Sequence, residues 1–445
     1  MSAQSVTTPE EPLVGVSLRE ENDCKGAPVA ARIRGPYLIV VEQQLPIYRG
    51  QDGRFLADDL WQKDLVMHLE YIHHLMLASP CLGRQAPPDA KLVEVKGSAF
   101  ELIELPQQRG FLQALTLMPV IVYRLSKAVR RAGIVHSGIV GWPIPMGWIV
   151  APLALLLRKP LVIVVESAPW RLPQGFAAGW KRRARALLQE YLGRWVLHRA
   201  DLVICTQDEY RESLVGPKHP RAFVIPASWI DEKDILSEEG AVGSWEKKLS
   251  HSDGRLNILF VGRLTAEKGL LVLLEAIRHL GRESVPISLG ILGDGSLKQE
   301  CGLAASELTH STVVKLLGTV PYGAPLFELI RRYDAVVVPS ISDEQPRIVF
   351  DAFSQAVPII ASDTPGLRSC VRNGETGLLV KPNDVSALVG TLKFAVANPG
   401  RLRECGLRGL LDARSMTHQE MHRRRAELLS AVVARREVAA APDNG

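Results

Sequence analysis

Short apolar runs rich in Val, Ile and Leu recur down this chain with helical segments between them, and that alternation limits its fold more than any other feature. The runs "YLIVVE" (37–42), "AGIVHSGIV" (132–140), "PLVIVVES" (160–167) and "ADLVICTQ" (200–207) are apolar without a two-residue period. Such runs mark strands buried on both faces, which is the habit of parallel sheets. A second set follows: "LNILFVGR" (256–263), "ISLGILGDG" (287–295), "TVVKLLGTV" (312–320), "DAVVVPSIS" (334–342), "VPIIASD" (357–363) and "TGLLVKP" (376–382). Helical patterns such as "LLVLLEAIRHL" and "PLFELIRRY" separate most of them. Repeated βαβ units cross over right-handedly, so the expected fold is α/β, with two doubly wound, Rossmann-like domains facing across an interdomain cleft. At 445 residues the chain exceeds what one core usually supports, which agrees with two domains.

The expected divisions are a mobile tail at 1–35, a first domain at 36–225, a polar, acidic linker at 226–254, a second domain at 255–415, and a helix with a tail at 416–445. The last helix, "HQEMHRRRAELLSAVVARREV", is basic and can pack back on the first domain. The opening residues carry acids and no apolar core segment, so they do not read as a secretion signal. Gly138 to Leu157 is twenty residues without a charge, long enough to span a bilayer. Pro143, Pro145 and Pro152 break it, so it is expected to form a buried loop and helix.

With 47% hydrophobic and 23% charged residues, this is the composition of an ordinary globular protein. A net charge of +5 suits anionic ligands but falls short of a nucleic-acid signature, so no nucleic-acid partner is expected. The six cysteines are scattered without a CxxC pair or a His/Cys cluster, so no metal site is expected, and reduced thiols point to a cytoplasmic location.

Polar punctuation collects at the strand ends of the second half, where open α/β sheets bind ligands. In "VGRLTAEKGL" (261–270), Gly262 lets the backbone turn at a strand end, and Arg263 offers a fork of donors that matches phosphate oxygens. Lys268 follows at the start of the next helix, whose dipole also favours an anion. The pair reads as a diphosphate clamp, or else as two solvated cations in a turn. In "PSISDEQPRIVFDAFSQAV" (339–357), Asp343 and Asp351 stand eight residues apart. Pro346 suits a first helical turn, leaving the amides of Arg347, Ile348 and Val349 for a ligand. The two acids suit vicinal hydroxyls, or else are a cap and a surface residue.

Together these stretches resemble family 4 of the retaining, nucleotide-sugar-dependent glycosyltransferases, a GT-B family in the superfamily of glycogen phosphorylase. The resemblance rests on "ILFVGRLTAEKGLLVLLEAI", "LGDGSL", "VKLLGTVPYGAPLFELIRRYDAVVVPS" and "VPIIASDTPGLRSCVRNGETGLLV", in order, across the second domain. It implies that Arg263 and Lys268 bind the donor diphosphate, that Asp343 lies by the transferred sugar, and that Asp351 holds the ribose hydroxyls. It also implies an acceptor-binding first domain, a donor-binding second domain, retention of anomeric configuration, a role in polysaccharide biosynthesis, and a nucleotide-diphosphate sugar as co-substrate with no cofactor or metal. The chain departs from the pattern by having Asp at both acid positions and Pro346 where the family has glycine. Glu344 can supply the sugar contact in place of Asp343. In the first domain, Gly50 and Gly53 fall where the family's first loop approaches phosphates and acceptor. His136 is expected at a strand end facing the cleft, and Glu166 stands where the family commonly has a histidine near the reacting carbon. His136, Glu166 and Asp343 are thus the candidate catalytic groups.

The stretch 179–202 carries Lys181, Arg182, Arg183, Arg185, Arg194 and Arg199, with Trp180, Tyr191 and Trp195 interleaved. It reads either as a solvated helix over the sheet or as a peripheral contact with the inner membrane face. The acceptor is not legible. Two alternatives to transfer are an epimerase or hydrolase of the same fold and a catalytically idle nucleotide-binding scaffold. A dehydrogenase is disfavoured, because no strand is followed by G-x-G-x-x-G.

Overall fold

The computed structural model describes residues 33–41, 47–49, 55–57, 59–80, 91–92, 99–141, 143–171, 179–250, 253–306, 312–341 and 345–440. The first domain contains β1 (Ile33–Val40), α1 (Asp59–Tyr71), β2 (Ile72–Pro80), β3 (Ala99–Leu105), α2 (Phe111–Arg131), β4 (Ile134–Ser137), α3 (Gly147–Leu156), β5 (Leu161–Val165), α4 (Trp180–Leu197), β6 (Leu202–Cys205) and β7 (Ala222–Val224). Its seven strands are ordered β3-β2-β1-β4-β5-β6-β7, all parallel. Three short antiparallel strands at Tyr48–Arg49, Phe55–Ala57 and Lys91–Leu92 lie outside this sheet.

The second domain contains α5 (Glu238–Ser250), β8 (Leu256–Val261), α6 (Leu270–Arg282), β9 (Ile287–Leu292), α7 (Lys298–Ser306), β10 (Thr312–Gly318), α8 (Ala324–Arg331), β11 (Ala335–Val338), α9 (Ile348–Ser354), β12 (Ile359–Ser362), β13 (Gly377–Val380), α10 (Val385–Ala397) and α11 (Pro399–Arg414). Its six parallel strands run β10-β9-β8-β11-β12-β13. Both sheets therefore share one winding: outward from the first strand to the third, then back across the first to the fourth and on. That reversal opens a crevice at the carboxyl ends of the first and fourth strands.

Each sheet is covered on both faces. In the first domain, one core gathers α2, α3 and the end of α4 around Val135, Ile163 and Val203. The other gathers α1 with Tyr37, Ile39 and Val162, and it includes Met421, Ala426, Leu429 and Val432 from α12 (His418–Ala440). The C-terminal helix thus crosses back to complete the first domain. Its helical stretch is long, but its stability comes from this buried stripe rather than from propensity.

Three expectations are revised. The segment 226–254 is not an open linker: α5 packs on the second domain, and Trp245 donates from Nε1 to the Ala356 carbonyl at 2.8 Å. Strands β2, β3 and β7 were unread: β2 follows α1 without a break and its two histidines mask an apolar run, and β7 is only three residues long. The helix after Pro346 begins two residues later, at Ile348. The charge-free stretch 138–157 yields the ten-residue α3, with Val150, Ala151 and Ala154 buried. Among the described residues, no helix is long and apolar enough to cross a membrane.

Candidate functional site

In the second domain the crevice lies between β8 and β11, and the cationic turn sits directly at its rim. After β8 the chain makes one 3₁₀ turn, Ala266–Lys268, before α6 begins at Leu270. Backbone bonds fix this turn to both neighbouring strand ends. Leu264 N–H donates to the Asp294 carbonyl at 2.9 Å, beyond β9. Ile341 N–H donates to the Glu267 carbonyl at 3.0 Å, beyond β11. Glycines permit the approach: a Cβ at Gly293 would lie 1.9 Å from the Gly262 oxygen, and one at Gly269 would lie 1.7 Å from the Pro339 oxygen. Arg263 is 68% exposed on its side chain, leaning toward Glu267 at 4.0 Å. A backbone-fixed turn therefore carries two cations at the rim of the crevice, a suitable arrangement for an anion.

Across the crevice, α9 places Asp351 inside the domain, 4% exposed. Tyr322 donates from its hydroxyl to Asp351 Oδ1 at 2.9 Å, from the loop between β10 and α8. Burial pushes the Asp351 carboxyl up to about 7, against the pull of the Tyr322 hydrogen bond and of the Arg347 and Lys63 charges. Burial also holds the Tyr322 hydroxyl far above the ordinary tyrosine value, so it stays a donor. One carboxylate oxygen is thus already engaged. The amide of Val349 is engaged as well, donating to the Pro346 carbonyl at 3.2 Å. This corrects the expectation of three open amides, because the turn before α9 closes on itself.

An acid whose folded pKa lies above its unfolded value adds stability at low pH and loses it as pH rises through the folded pKa. From its ordinary value of 3.8 to about 7, ionising Asp351 costs at most about 4 kcal/mol. Asp351→Asn, which keeps an acceptor for Tyr322, is expected to raise the melting temperature clearly more at pH 8 than at pH 5, because the penalty grows as pH rises from about 3.8 to about 7. Parallel melting curves for both proteins between those pH values would contradict this assignment.

The first-domain candidates separate. His136, expected at a strand end facing the cleft, lies within β4 and is paired beside Ile39 and Val162. Strand alternation turns its ring to the α1 side, where Nδ1 sits 3.0 Å from the Tyr37 hydroxyl. Burial, then the neighbouring His68 and Arg425 charges, pushes it down to about 3, so it is neutral. Glu166 is exposed just past β5, four residues beyond the level of His136, on the order of 13 Å along the strand direction. The two do not form one catalytic pair. Asp343, Glu344, Gly50 and Gly53 lie outside the described residues.

Three residues join the site that sequence reasoning passed over. Trp229, 8% exposed, is stacked between the Arg347 guanidinium (4.8 Å) and the His418 ring (5.2 Å). Lys63 of α1 reaches the Trp229 carbonyl at 2.6 Å and Asp231 at 2.8 Å, tying the first domain to the crossover. Tyr322 lies inside a quoted motif, "TVPYGAPL", yet no spacing rule connects it to Asp351. All three owe their roles to contacts between distant segments.

Residues 243–409 match the family model described as glycosyl transferases group 1. A glycogen synthase of Mycobacterium tuberculosis H37Rv is 26% identical over 259 residues, which is 57% of this chain and 59% of that protein. A D-inositol 3-phosphate glycosyltransferase of Rhodococcus erythropolis is 36% identical over 158 residues, covering 34% and 36% of the two chains. These matches span three fifths or less of the relatives' lengths. The crystal structure of Anabaena Alr3699/HepE in complex with UDP-glucose superposes with a TM-score of 0.59 at 14% identity, covering 89% of this chain and 99% of that one.

Proposed function

Starting from a chain that belongs to the GT-B glycosyltransferases, we propose that it transfers a sugar from a nucleotide-diphosphate donor to an acceptor, with retention and without a catalytic metal. The observation that carries this reading is the backbone-locked turn bearing Arg263 and Lys268 at the crevice between β8 and β11. Two cations there would offset most of the charge that grows on a leaving diphosphate, which supports a reading without a catalytic metal. In the family-4 reading, the leaving phosphate also takes the acceptor's proton, so positioning and charge stabilisation are the main catalytic work. Asp351 would then meet the ribose through the oxygen that Tyr322 leaves open, and Asp343 or Glu344 would meet the sugar.

A lipid-linked acceptor is supported by α4. Its amino-terminal part exposes Trp180, Leu187, Leu188 and Tyr191 among Lys181, Arg182, Arg183 and Arg185. On the same side of the sheet, α2 exposes Phe111, Leu112 and Tyr123. Apolar rings among cations suit the headgroup layer of an anionic bilayer. A pocket of about 250 Å³, lined by Trp170, Arg182, Arg185 and Gln189, adjoins this face at the end of β5.

The experiment is product analysis over UDP-, GDP-, ADP- and dTDP-sugars. Each donor is supplied alone, with soluble oligosaccharide acceptors, and with lipid-linked acceptors in anionic vesicles. Acceptor-dependent release of nucleoside diphosphate and a glycosylated product are expected with one donor. Equal release without acceptor would indicate a hydrolase, and donor binding without any turnover would indicate an idle scaffold.

A further inference from the structure

Beneath the seven-stranded sheet, α1 and α12 close over a polar cluster that sugar transfer does not use. His418 and His422 stand one turn apart on α12, and Asp64 reaches them from α1. Asp64 Oδ1 lies 3.3 Å from His418 Nε2 and 3.1 Å from His422 Nε2, and the two ring nitrogens are 3.1 Å apart. The side chains are 11%, 0% and 2% exposed. Three donor atoms therefore converge on one point inside the protein.

We propose that Asp64, His418 and His422 form a binding site for a divalent transition metal, zinc foremost, that pins α12 to the first domain. Zinc holds nitrogen and oxygen ligands at about 2.0–2.1 Å in a tetrahedron, whose edge is then about 3.3 Å. All three separations fall close to that edge. Two imidazoles and one carboxylate form a donor set that favours zinc over calcium or magnesium. Histidines four apart on one helix face are a recurrent way to present two such ligands.

The surroundings fit a metal as well. Ligating histidines usually hydrogen-bond through their other ring nitrogen, which fixes the ring. His422 Nδ1 does so with the Tyr71 hydroxyl at 3.1 Å. His68 holds the second Asp64 oxygen at 3.2 Å. His418 Nδ1 is buried with no hydrogen-bond partner among the described residues, so its ring is steered from the Nε2 side, where the other two groups meet. Without a metal, two imidazole nitrogens compete for one carboxylate oxygen at hydrogen-bonding distance from each other. Arg425 acts in the other direction: its Nη1 is 3.9 Å from Asp64 Oδ1, and a cation there weakens the hold on a second one.

The place in the fold suggests what the metal would do. His418 donates its backbone N–H to the Ile230 carbonyl at 2.8 Å and stacks on Trp229, where the chain passes between the domains. A metal on His418 would stiffen both crossings at once. This inference does not depend on the proposed sugar transfer.

The test uses the full-length chain without a histidine tag, stripped with a chelator and titrated with Zn²⁺ and then with Co²⁺. One zinc per chain by elemental analysis, a raised melting temperature, and the visible bands of tetrahedral cobalt are expected. Losing a hydrogen bond behind a ligand already costs about 10–100-fold, so H418Q and H422Q, which remove ligands, should each bind zinc at least about a hundredfold more weakly. H279Q, which changes an exposed histidine on α6, should bind as the parent does. Substoichiometric zinc with no shift in melting temperature for the parent overturns the proposal whether or not the variants fold. So does equal binding by H422Q and the parent.

Discussion

Lys268→Ala is expected to lower kcat/KM for the productive donor by two or more orders of magnitude while leaving the melting temperature within a degree or two. Removing one preorganised charge-stabilising group typically costs about 10²–10³ in rate. The fold should tolerate the change, because backbone bonds at Leu264, Ile341 and Gly269 fix the turn. Arg263→Ala should behave alike, since its side chain is 68% exposed. Because both cations would act on one diphosphate, the double variant should lose less than the product of the single losses. Steady-state kinetics with circular dichroism on the same samples would check this. Parent-like kcat/KM in both single variants would remove the clamp and the transfer reading built on it.

Gly269→Ala should cost stability and activity together. Gly269 has φ of 70°, where an L-residue pays on the order of 1 kcal/mol or more. Its new methyl would also lie 1.7 Å from the Pro339 oxygen, a backbone atom that only a shift of the β11 loop could move. Overpacking of this kind adds about 1–3 kcal/mol. At roughly 2–4 °C per kcal/mol, the melting temperature should fall by about 5–15 °C. The same shift would move Lys268, so turnover should fall further than the folded fraction alone predicts. Gly390→Ala, in the middle of α10 with open space around it, is the control and should be neutral or stabilising by about 1 kcal/mol. A Gly269→Ala protein with parent-like melting and turnover would show that the loop yields freely.

Much of the second domain was legible because its information is local. All six of its strands were readable as apolar runs, and the motif glycines mark the turns that let β8, β9 and β11 meet. The first domain was read less completely. An apolar run tells where a strand is, but α1 and β2 abut without a breaker, and the histidines in β2 blur its pattern. The direction of the His136 side chain was not legible either. Position along a strand does not say which face a side chain takes, and here alternation put it with Tyr37 against α1.

From its residues alone this chain determined that it would build two parallel sheets, place Arg263 and several glycines at strand ends, and carry a cationic turn between Gly262 and Gly269. Those outcomes follow from hydrophobic periodicity and backbone stereochemistry, which act over a few residues at a time. Only the tertiary structure decided that Tyr322 engages Asp351, that Trp229 lies between Arg347 and His418, and that Asp64 meets two histidines 354 and 358 positions away. Such contacts depend on how whole helices dock on a sheet, and docking is set by the summed burial of many side chains rather than by any short stretch that can be read by itself.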